Sequence, residues 1–509
     1  MAPQQEQEVI VVGSGIAGLS ATVTALQAGL KVTLVERASE TDFGGNTRWS
    51  EAYLRMNNDS EVADDFEDQL ASNAGLNIDP NVLAALARPY DEWPANVKAH
   101  PLPDPEVISR FAERVPPTLA WLKTFGLKFS RQPTYLLTQN TSRIVTEGGG
   151  LALIERLMAE AQALGARILF RTTALELLRD EQERISGLLV ADPDGQRQRL
   201  YARNVILASG GFQGNPEMMT RYLGERAARI RPVAPGGYFN KGEGIRMALA
   251  AGAAPAGEYG SYHAEPVDPR SFQAEAVVFV YPYGVLLNKR GERFVDEAPG
   301  TVDAHYDAIG RAIAEQPDGM TWGIFDAQIE DVPRWKTSVR TDMPAIEAQT
   351  LPQLFDLLGL PATALRTIEA FNAACPTDCV AFDALVPDHR STHDLVPAKT
   401  HWSRPLVKGP FRAYPVISSV CFTFGGLKVN NDAQVLDMDG KPLPGLYAAG
   451  ETVGLYHQVY PGSTSVLRGG GVRSFGRPAY RSRLIGLANK TPRFTGRFFV
   501  RRVHPRSCV

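Results

Sequence analysis

The spacing of apolar positions changes several times along this chain, and each change marks an element. The clearest run lies near the start, "EVIVVGSGIAGLSATVTALQAGLKVTLVER". Val9–Val12 is continuous, apolar and β-branched, which predicts a buried parallel strand. Ile16–Ala28 then has helical spacing, with Ile16, Leu19, Val23 and Leu26 on one side. Gly29 suits the position just past a helix, and Lys31–Glu36 reads as a second strand ending in an acid. In residues 141–196 a glycine-rich start leads into a long amphipathic helix, with Leu153, Leu157, Ala161 and Leu164 as its apolar stripe. A strand at 167–171 and a strand–turn–strand around "DPDGQ" follow. "YPYGVLLNKRGERFVDEA" (281–298) predicts two strands around the turn "NKRGE". The stretch 55–125 is charged and proline-bearing, and its "LARPYDEWPANVKAHPLPDPEVI" reads as irregular surface.

The first strand–turn–helix carries chemistry. Gly13-Ser14-Gly15-Ile16-Ala17-Gly18 follows the strand at once. Gly13 permits the tight turn, Gly15 lets backbone N–H groups approach a pyrophosphate, and Gly18 lets helix and strand pack closely. The partial positive charge of the helix N-terminus favours the phosphates. Glu36, 18 residues after Gly18, is placed to accept hydrogen bonds from an adenosine ribose, and Arg37 follows it. Strand, turn, helix, second strand and acid all fall in order, which predicts dinucleotide binding.

Bulk properties narrow the class. The chain has 509 residues, 44% hydrophobic and 21% charged, with a net charge of −3. That length suits two or three domains, and the charge offers no global field to recruit nucleic acid. The start, "MAPQQEQEVIVVG", lacks a basic region followed by an apolar core, which argues against a secretory signal. No run of apolar residues is long enough to span a membrane, and four cysteines are too few for a disulfide scaffold. The expected location is the cytoplasm. No metal site is expected, since Cys375 and Cys379 have no second Cys/His pair close by.

Three further segments favour FAD over NAD. "FGGNTRWS" (43–50) follows the acid closely, and its Gly44, Gly45, Asn46 and Thr47 could wrap the flavin side of the pyrophosphate. "NVILASGGF" (204–212) runs as an apolar strand into Ser209 and Gly210, and "PLPGLYAAGETVG" (442–454) is a turn, a strand and a Gly-Glu pair. Together these resemble the recurring FAD motifs of the fumarate reductase/succinate dehydrogenase flavoprotein superfamily, over residues 9 to about 467. The resemblance implies an α/β fold, a Rossmann-type FAD-binding domain with an inserted α+β capping domain. The expected parts are 1–258 and 421–485 for the FAD-binding domain, 259–420 for the cap and 486–509 for a basic tail. It also implies that Ala174 contacts adenine through its backbone and that Glu451 lies by the phosphate–ribitol region. Thr464, Ser465 and Val466 would start a helix aimed at the flavin ring. Members that anchor the flavin covalently use a histidine just after the glycine–hydroxyl segment; "GGNTRWS" has none, so the FAD is expected to be non-covalent.

Within that superfamily the chain is most similar to the tricarballylate dehydrogenase branch, on "GGNTR", "YPYGVLLNKRGERFVDE", "FTFGGLKVN" and "YPGSTSVLRG". Fumarate reductases would place an arginine where Val302 falls, a histidine where Phe422 falls and a second arginine at Tyr460. Losing cations and hydrogen-bonding groups there argues against fumarate reduction. A tyrosine before Pro-Gly, as at Tyr460, resembles the 3-ketosteroid dehydrogenases, where it helps polarise a carbonyl beside the bond being oxidised; packing that closes the turn is the other reading of Tyr460. His263 and His457 are further acid–base candidates. Tyr283 and Tyr306 are weaker ones, and Arg412 could pair with a substrate carboxylate. The leading expectation is an FAD-dependent dehydrogenase that desaturates a C–C bond next to a carbonyl or carboxylate in a small metabolite. Its reduced flavin would pass electrons to a separate acceptor, for the chain shows neither haem nor iron–sulfur motifs. The alternatives are a 3-ketosteroid Δ1-dehydrogenase-like enzyme, a fumarate reductase-like ene reductase, and a degenerate flavin-binding protein without catalysis.

From Arg468 to Val509 the chain holds ten Arg and one Lys with no Asp or Glu. Such a run reads either as a basic arm for an anionic partner or as a frame-shifted or mis-spliced end, and the sequence leaves both open.

Overall fold

In the computed structural model, residues 7–58, 61–62, 82, 84–85, 88–100, 105–131, 143–377, 381–457 and 460 are described. Two sheets organise them. The first is built on strands β1 (Gln7–Val12), β2 (Val32–Val35), β3 (Arg167–Leu169), β4 (Thr173–Arg179), β5 (Ile185–Ala191) and β6 (Arg197–Leu207). The second is built on β7 (Tyr262–Val267), β8 (Val285–Asn288), β9 (Met320–Phe325) and β10 (Phe411–Thr423). The chain then returns to the first sheet with β11 (Gln434–Leu436) and β12 (Pro442–Ala448).

The order in the first sheet is β11-β12-β6-β1-β2-β3, with β4 and β5 continuing antiparallel from β6. β1 runs parallel to both β6 and β2, Val12 lying beside Leu207 and Val35. β1 is buried over Val9–Val12 because helices cover the sheet. Helix α1 (Ile16–Gln27) follows it, and α2 (Gly149–Ala163) packs on α1 through Leu153, Leu157 and Ala161. The expected stripe of α1 was too narrow: every residue from Ile16 to Ala25 is buried. Its helix is enclosed by sheet and α2 rather than half-solvated. Leu164, the last expected member of the α2 stripe, caps the helix and is exposed. β1 lies where the chain leaves on either side of it, the kind of switch point at which open α/β sheets bind ligands.

In the second sheet β10 is the spine. β7, β9 and a short strand at Ile346–Ala348 pair with it antiparallel, and β8 pairs with β9. The hairpin expected around "NKRGE" forms its turn, with Gly291 N–H donating to the Asn288 carbonyl, but not its second strand. The physical reason is a side chain: Leu286 N–H donates to Glu297 Oε1 at 3.1 Å, so a carboxylate takes a strand amide. Glu297 is held there by buried Arg293, 2.5 Å away. Helix α3 (Glu243–Ala250) flanks the first sheet, and α4 (Val302–Ala314) packs against β7. The stretch expected to be irregular surface holds short helical turns at Tyr90–Glu92 and Ala95–Lys98 and a longer helix, Pro105–Thr124. Trp121 and Leu122 of that helix pack into the core around α1.

Candidate active site

The turn after β1 is shaped by its glycines, each for a different reason. Gly13 has φ +100°, and a Cβ there would stand 2.4 Å from the Ala208 carbonyl oxygen. A Cβ on Gly18 would stand 1.8 Å from Gly13 O, so this residue sets the helix–strand approach. Gly15 differs, since a Cβ there meets nothing nearer than 3.8 Å. The protein leaves space at Gly15, so the constraint on that position comes from whatever occupies the cleft.

Glu36 organises the turn. Its Oε2 accepts from Ser14 N at 2.8 Å and Ser14 Oγ at 2.5 Å, and its Oε1 accepts from Ala38 N at 2.7 Å. Ser14 Oγ in turn accepts from Gly44 N at 3.0 Å, and Thr47 Oγ1 accepts from Ile16 N at 3.3 Å. The glycine–hydroxyl segment is thereby pinned across the start of α1. Arg37 is ion-paired with Glu243, in the first turn of α3. On the far side Glu451 accepts from Thr423 N at 3.0 Å, and from Asn240 and Gln213. Asn46 Nδ2 donates to the Cys421 carbonyl at 2.6 Å, tying the segment to β10.

These groups line one continuous cavity of about 320 Å³. Of the expected cofactor residues, Gly13, Ser14, Gly15, Ile16, Ala17, Glu36, Arg37, Gly45, Asn46, Thr47, Ala174, Ser209, Gly210 and Glu451 all line it. Gly18 and Gly44 do not; they shape its wall instead. Ser465 and Val466, with Thr464, lie outside the described residues. The donor set fits FAD. Ser209 Oγ and Asn46 Oδ1 are buried without a partner among the described residues, buried polar atoms of the kind that demand one. The helix N-terminus at Gly15 carries no side-chain cap, leaving it available to phosphate.

The cavity continues to the second sheet. There His263 of β7, Val302 and Tyr306 of α4, Phe422 of β10 and Tyr460 line it. His263 and Tyr460 are both buried, with ring centroids 3.9 Å apart; Phe422 closes on both, at 5.0 and 5.4 Å. His263 Nε2 lies 2.9 Å from the Tyr306 hydroxyl. Burial, with a smaller contribution from Arg311, holds the His263 imidazole well below its usual pKa, so it is neutral. Asp307 ties the corner together: Oδ1 accepts from Ala264 N at 2.8 Å, while Oδ2 meets Arg311 at 2.7 Å and Tyr460 N at 3.5 Å.

Three expected residues are not brought to the cavity. Arg412 is held between Glu347 (2.8 Å) and Glu330 (2.9 Å) on the other end of β10, over the Trp335 ring. Tyr283 donates to the Ala384 carbonyl at 2.8 Å and packs on Trp402, and burial raises its pKa. Strand and turn direct Tyr283 into the second sheet's own core and Arg412 into ion pairs at that sheet's far end. His457 is buried but does not line the cavity.

The sequence reading missed an acidic cluster. Glu51, Glu265 and Glu275 line the same end of the cavity, with Arg340 bridging Glu51 (2.9 Å) and Glu275 (3.3 Å). Donor atoms of His263, Glu265 and Cys421 lie within 4.8 Å of one another. A β-bulge between His263 and Ala264 shifts the pairing with β10 past Cys421, as bulges beside active sites re-aim side chains. Burial pushes Glu265 up to about 7, with Glu51 and Asp307 adding repulsion, and pushes Glu275 well above the carboxylate range, with Glu265 and Glu51 adding theirs. The i, i+2 spacing of His263 and Glu265 was the available signal, for it puts both on one face of a strand. Arg340 and Glu275 reach the cluster from distant loops, and nothing in their local sequence marks them.

The FAD binding domain family model matches residues 8–467, nine-tenths of the chain. The chain belongs to this family, within the fumarate reductase/succinate dehydrogenase flavoprotein superfamily. It is 27% identical to vinyl phenol reductase of Lactiplantibacillus plantarum over 495 residues, covering 90% of this chain and 92% of that one. It is 28% identical to urocanate reductase of Eggerthella lenta over 467 residues, covering 88% and 70% respectively. The open conformation of a flavocytochrome c3 fumarate reductase matches its fold with a TM-score of 0.69 at 22% identity, over 95% of this chain and 79% of that one. The protein is an FAD-dependent oxidoreductase acting on C–C bonds. The closer likeness to tricarballylate dehydrogenases is not shown by these relatives. Among the described residues no helix is long and apolar enough to cross a membrane.

Proposed function

We propose that the enzyme exchanges a pair of hydrogens across a C–C bond conjugated with an aromatic ring or a carbonyl, on a substrate without a carboxylate in the pocket. The carrying observation is that Val302, Phe422 and Tyr460, the three positions that would grip or protonate a dicarboxylate, all line the cavity and carry no cation. Among the described residues the remaining candidates do not replace them. His263 is neutral, and Arg340 is already engaged by Glu51 and Glu275. A tricarballylate-like acid would bring negative charge into a site where burial already opposes ionisation of Glu265 and Glu275, a cost that the low dielectric of the site makes large.

Bound FAD supplies the hydride chemistry. The chain supplies position and the proton. Tyr53, Phe279, Tyr306, Phe422 and Tyr460 form a slot for a flat conjugated group. The Tyr306 hydroxyl and neutral His263 are within proton-transfer reach of each other. Reduction of a conjugated alkene is the first reading, supported by the activity named for the vinyl phenol reductase, whose substrate carries no carboxylate. Dehydrogenation beside a carbonyl is the second, favoured by Tyr460, whose hydroxyl could donate to a developing enolate. Electrons would come from, or go to, a separate redox partner. The domain division, with the second sheet as a cap over FAD held by the first, is part of this reading, and so is a cytoplasmic location.

A substrate panel tests it. Under anaerobic conditions, turnover with aryl alkenes and enones is compared with turnover with fumarate and aconitate-type acids. Activity confined to the acids overturns the reading.

A further inference from the structure

The acidic cluster lines the same cavity as His263 and Tyr460. We infer that Glu265, with His263 beside it, is the recognition point for a hydrogen-bond donor on the substrate, a phenolic O–H or a ring N–H. This deepens the proposed function and rests on it.

Four observations converge. Glu265 Oε2 is buried without a partner among the described residues, and so is His263 Nδ1. His263 is 5% exposed, and both residues line the cavity. The cluster therefore presents two buried polar atoms without partners, one of them a carboxylate oxygen, in a concave site, and such groups call for a partner. The second observation is its charge. Among the described residues three carboxylates gather around Arg340, which is ion-paired with Glu51 and Glu275. The third is the distance scale, His263, Glu265 and Cys421 lying within 4.8 Å of one another, so a single small polar head reaches all three. The fourth is the wall. Phe422 and Tyr460 stand against His263, so the body joined to that head meets aromatic rings. An anionic head enters a site that already disfavours negative charge, a methyl ether leaves Glu265 Oε2 unsatisfied, and an O–H or N–H satisfies it. Sites built to pair a substrate hydroxyl discriminate strongly against analogues that lack it.

The test uses the FAD-loaded enzyme and reads binding from the perturbation of the oxidised flavin spectrum. The probes are para-ethylphenol, its methyl ether and para-ethylbenzoate, with phenylimidazole and its N-methyl derivative as the azole pair. The phenol is expected to bind at least about tenfold more tightly than its ether, the factor associated with one hydrogen bond to a charged group, and the azole pair separates N–H from O–H recognition. Glu265→Ala and Glu265→Gln should each collapse the phenol–ether ratio towards one while leaving ether affinity and bound FAD at the wild-type level. The inference is overturned if phenol and ether bind alike in the wild type, or if the ratio survives in both variants. Equal binding of phenol and ether would sink the inference alone. Preferential binding of the benzoate would sink both it and the reading of a carboxylate-free pocket.

Discussion

The rings of His263 and Tyr460 stand 3.9 Å apart, centroid to centroid, although 197 positions of sequence separate them (460 minus 263). β7 brings one and the segment after β12 the other, and Asp307 of α4 bonds backbone amides on both sides of the pair. Tyr460 is thus a positioned wall of the pocket, packed on Phe422 and Tyr456 as well. Replacing it by Phe keeps the ring and removes only the hydroxyl. Turnover should fall by about a hundredfold, the low end for a lost acid–base group, with flavin content unchanged. Unaltered turnover would make Tyr460 a packing residue.

Gly15 and Gly18 make a matched pair. Gly18→Ala drives a Cβ into backbone at 1.8 Å, so it should cost about 1–3 kcal/mol as overpacking and lower the Tm of the apoprotein. Gly15→Ala makes only ordinary van der Waals contact, nothing lying nearer than 3.8 Å to its Cβ. It should leave the apoprotein Tm nearly unchanged and weaken FAD retention. Thermal melts with flavin quantitation read both, and equal Tm losses would contradict the assignment.

Arg412 was expected at the substrate and is instead clamped by Glu330 and Glu347. Arg412→Ala should leave KM and kcat within about twofold while lowering Tm by a few degrees, the scale of one or two kcal/mol. A selective rise in KM would return Arg412 to the site.

Glu265 gives a pH signature. Its folded pKa, about 7, lies above the usual carboxylate value of 4.5 because burial disfavours the charge. Between those values the native state binds more protons than the unfolded state, so this residue's contribution to stability falls as pH rises from about 4.5 to 7. Asp307, raised by burial to about 6 despite Arg311, acts in the same sense. Glu265→Gln should therefore gain stability relative to wild type at pH 8 more than at pH 5. Denaturant melts at the two pH values would show it, and an equal effect at both would contradict it.

How much of this was legible beforehand depends on how local the determinant is. Gly13 to Gly18 and Glu36 are short-range features whose spacing already encodes a turn, a helix start and an acid. The structure places Gly13, Gly15 and Glu36 on the cleft, with Gly18 in its supporting wall. The apolar runs of β1 and α2 were equally readable. The hairpin after β8 failed because Glu297, eleven residues on, occupies the Leu286 amide, a tertiary event that no turn pattern reports. Arg412 and Tyr283 failed for a related reason: residue type suggested chemistry, while strand direction decided whether they reached the cavity. The acidic cluster was invisible because Glu51, Glu265, Glu275 and Arg340 meet only through the packing of the two sheets.

The central claim is that hydrogens are exchanged across a conjugated C–C bond in a pocket that does not grip carboxylates. The most direct measurement is to reduce the FAD-loaded enzyme anaerobically and mix it with vinyl phenol or with fumarate. Return of the oxidised flavin band at about 450 nm, a property of the cofactor, is then followed. Rapid reoxidation by vinyl phenol and none by fumarate is the predicted result. Reoxidation by fumarate with vinyl phenol inert would contradict the account.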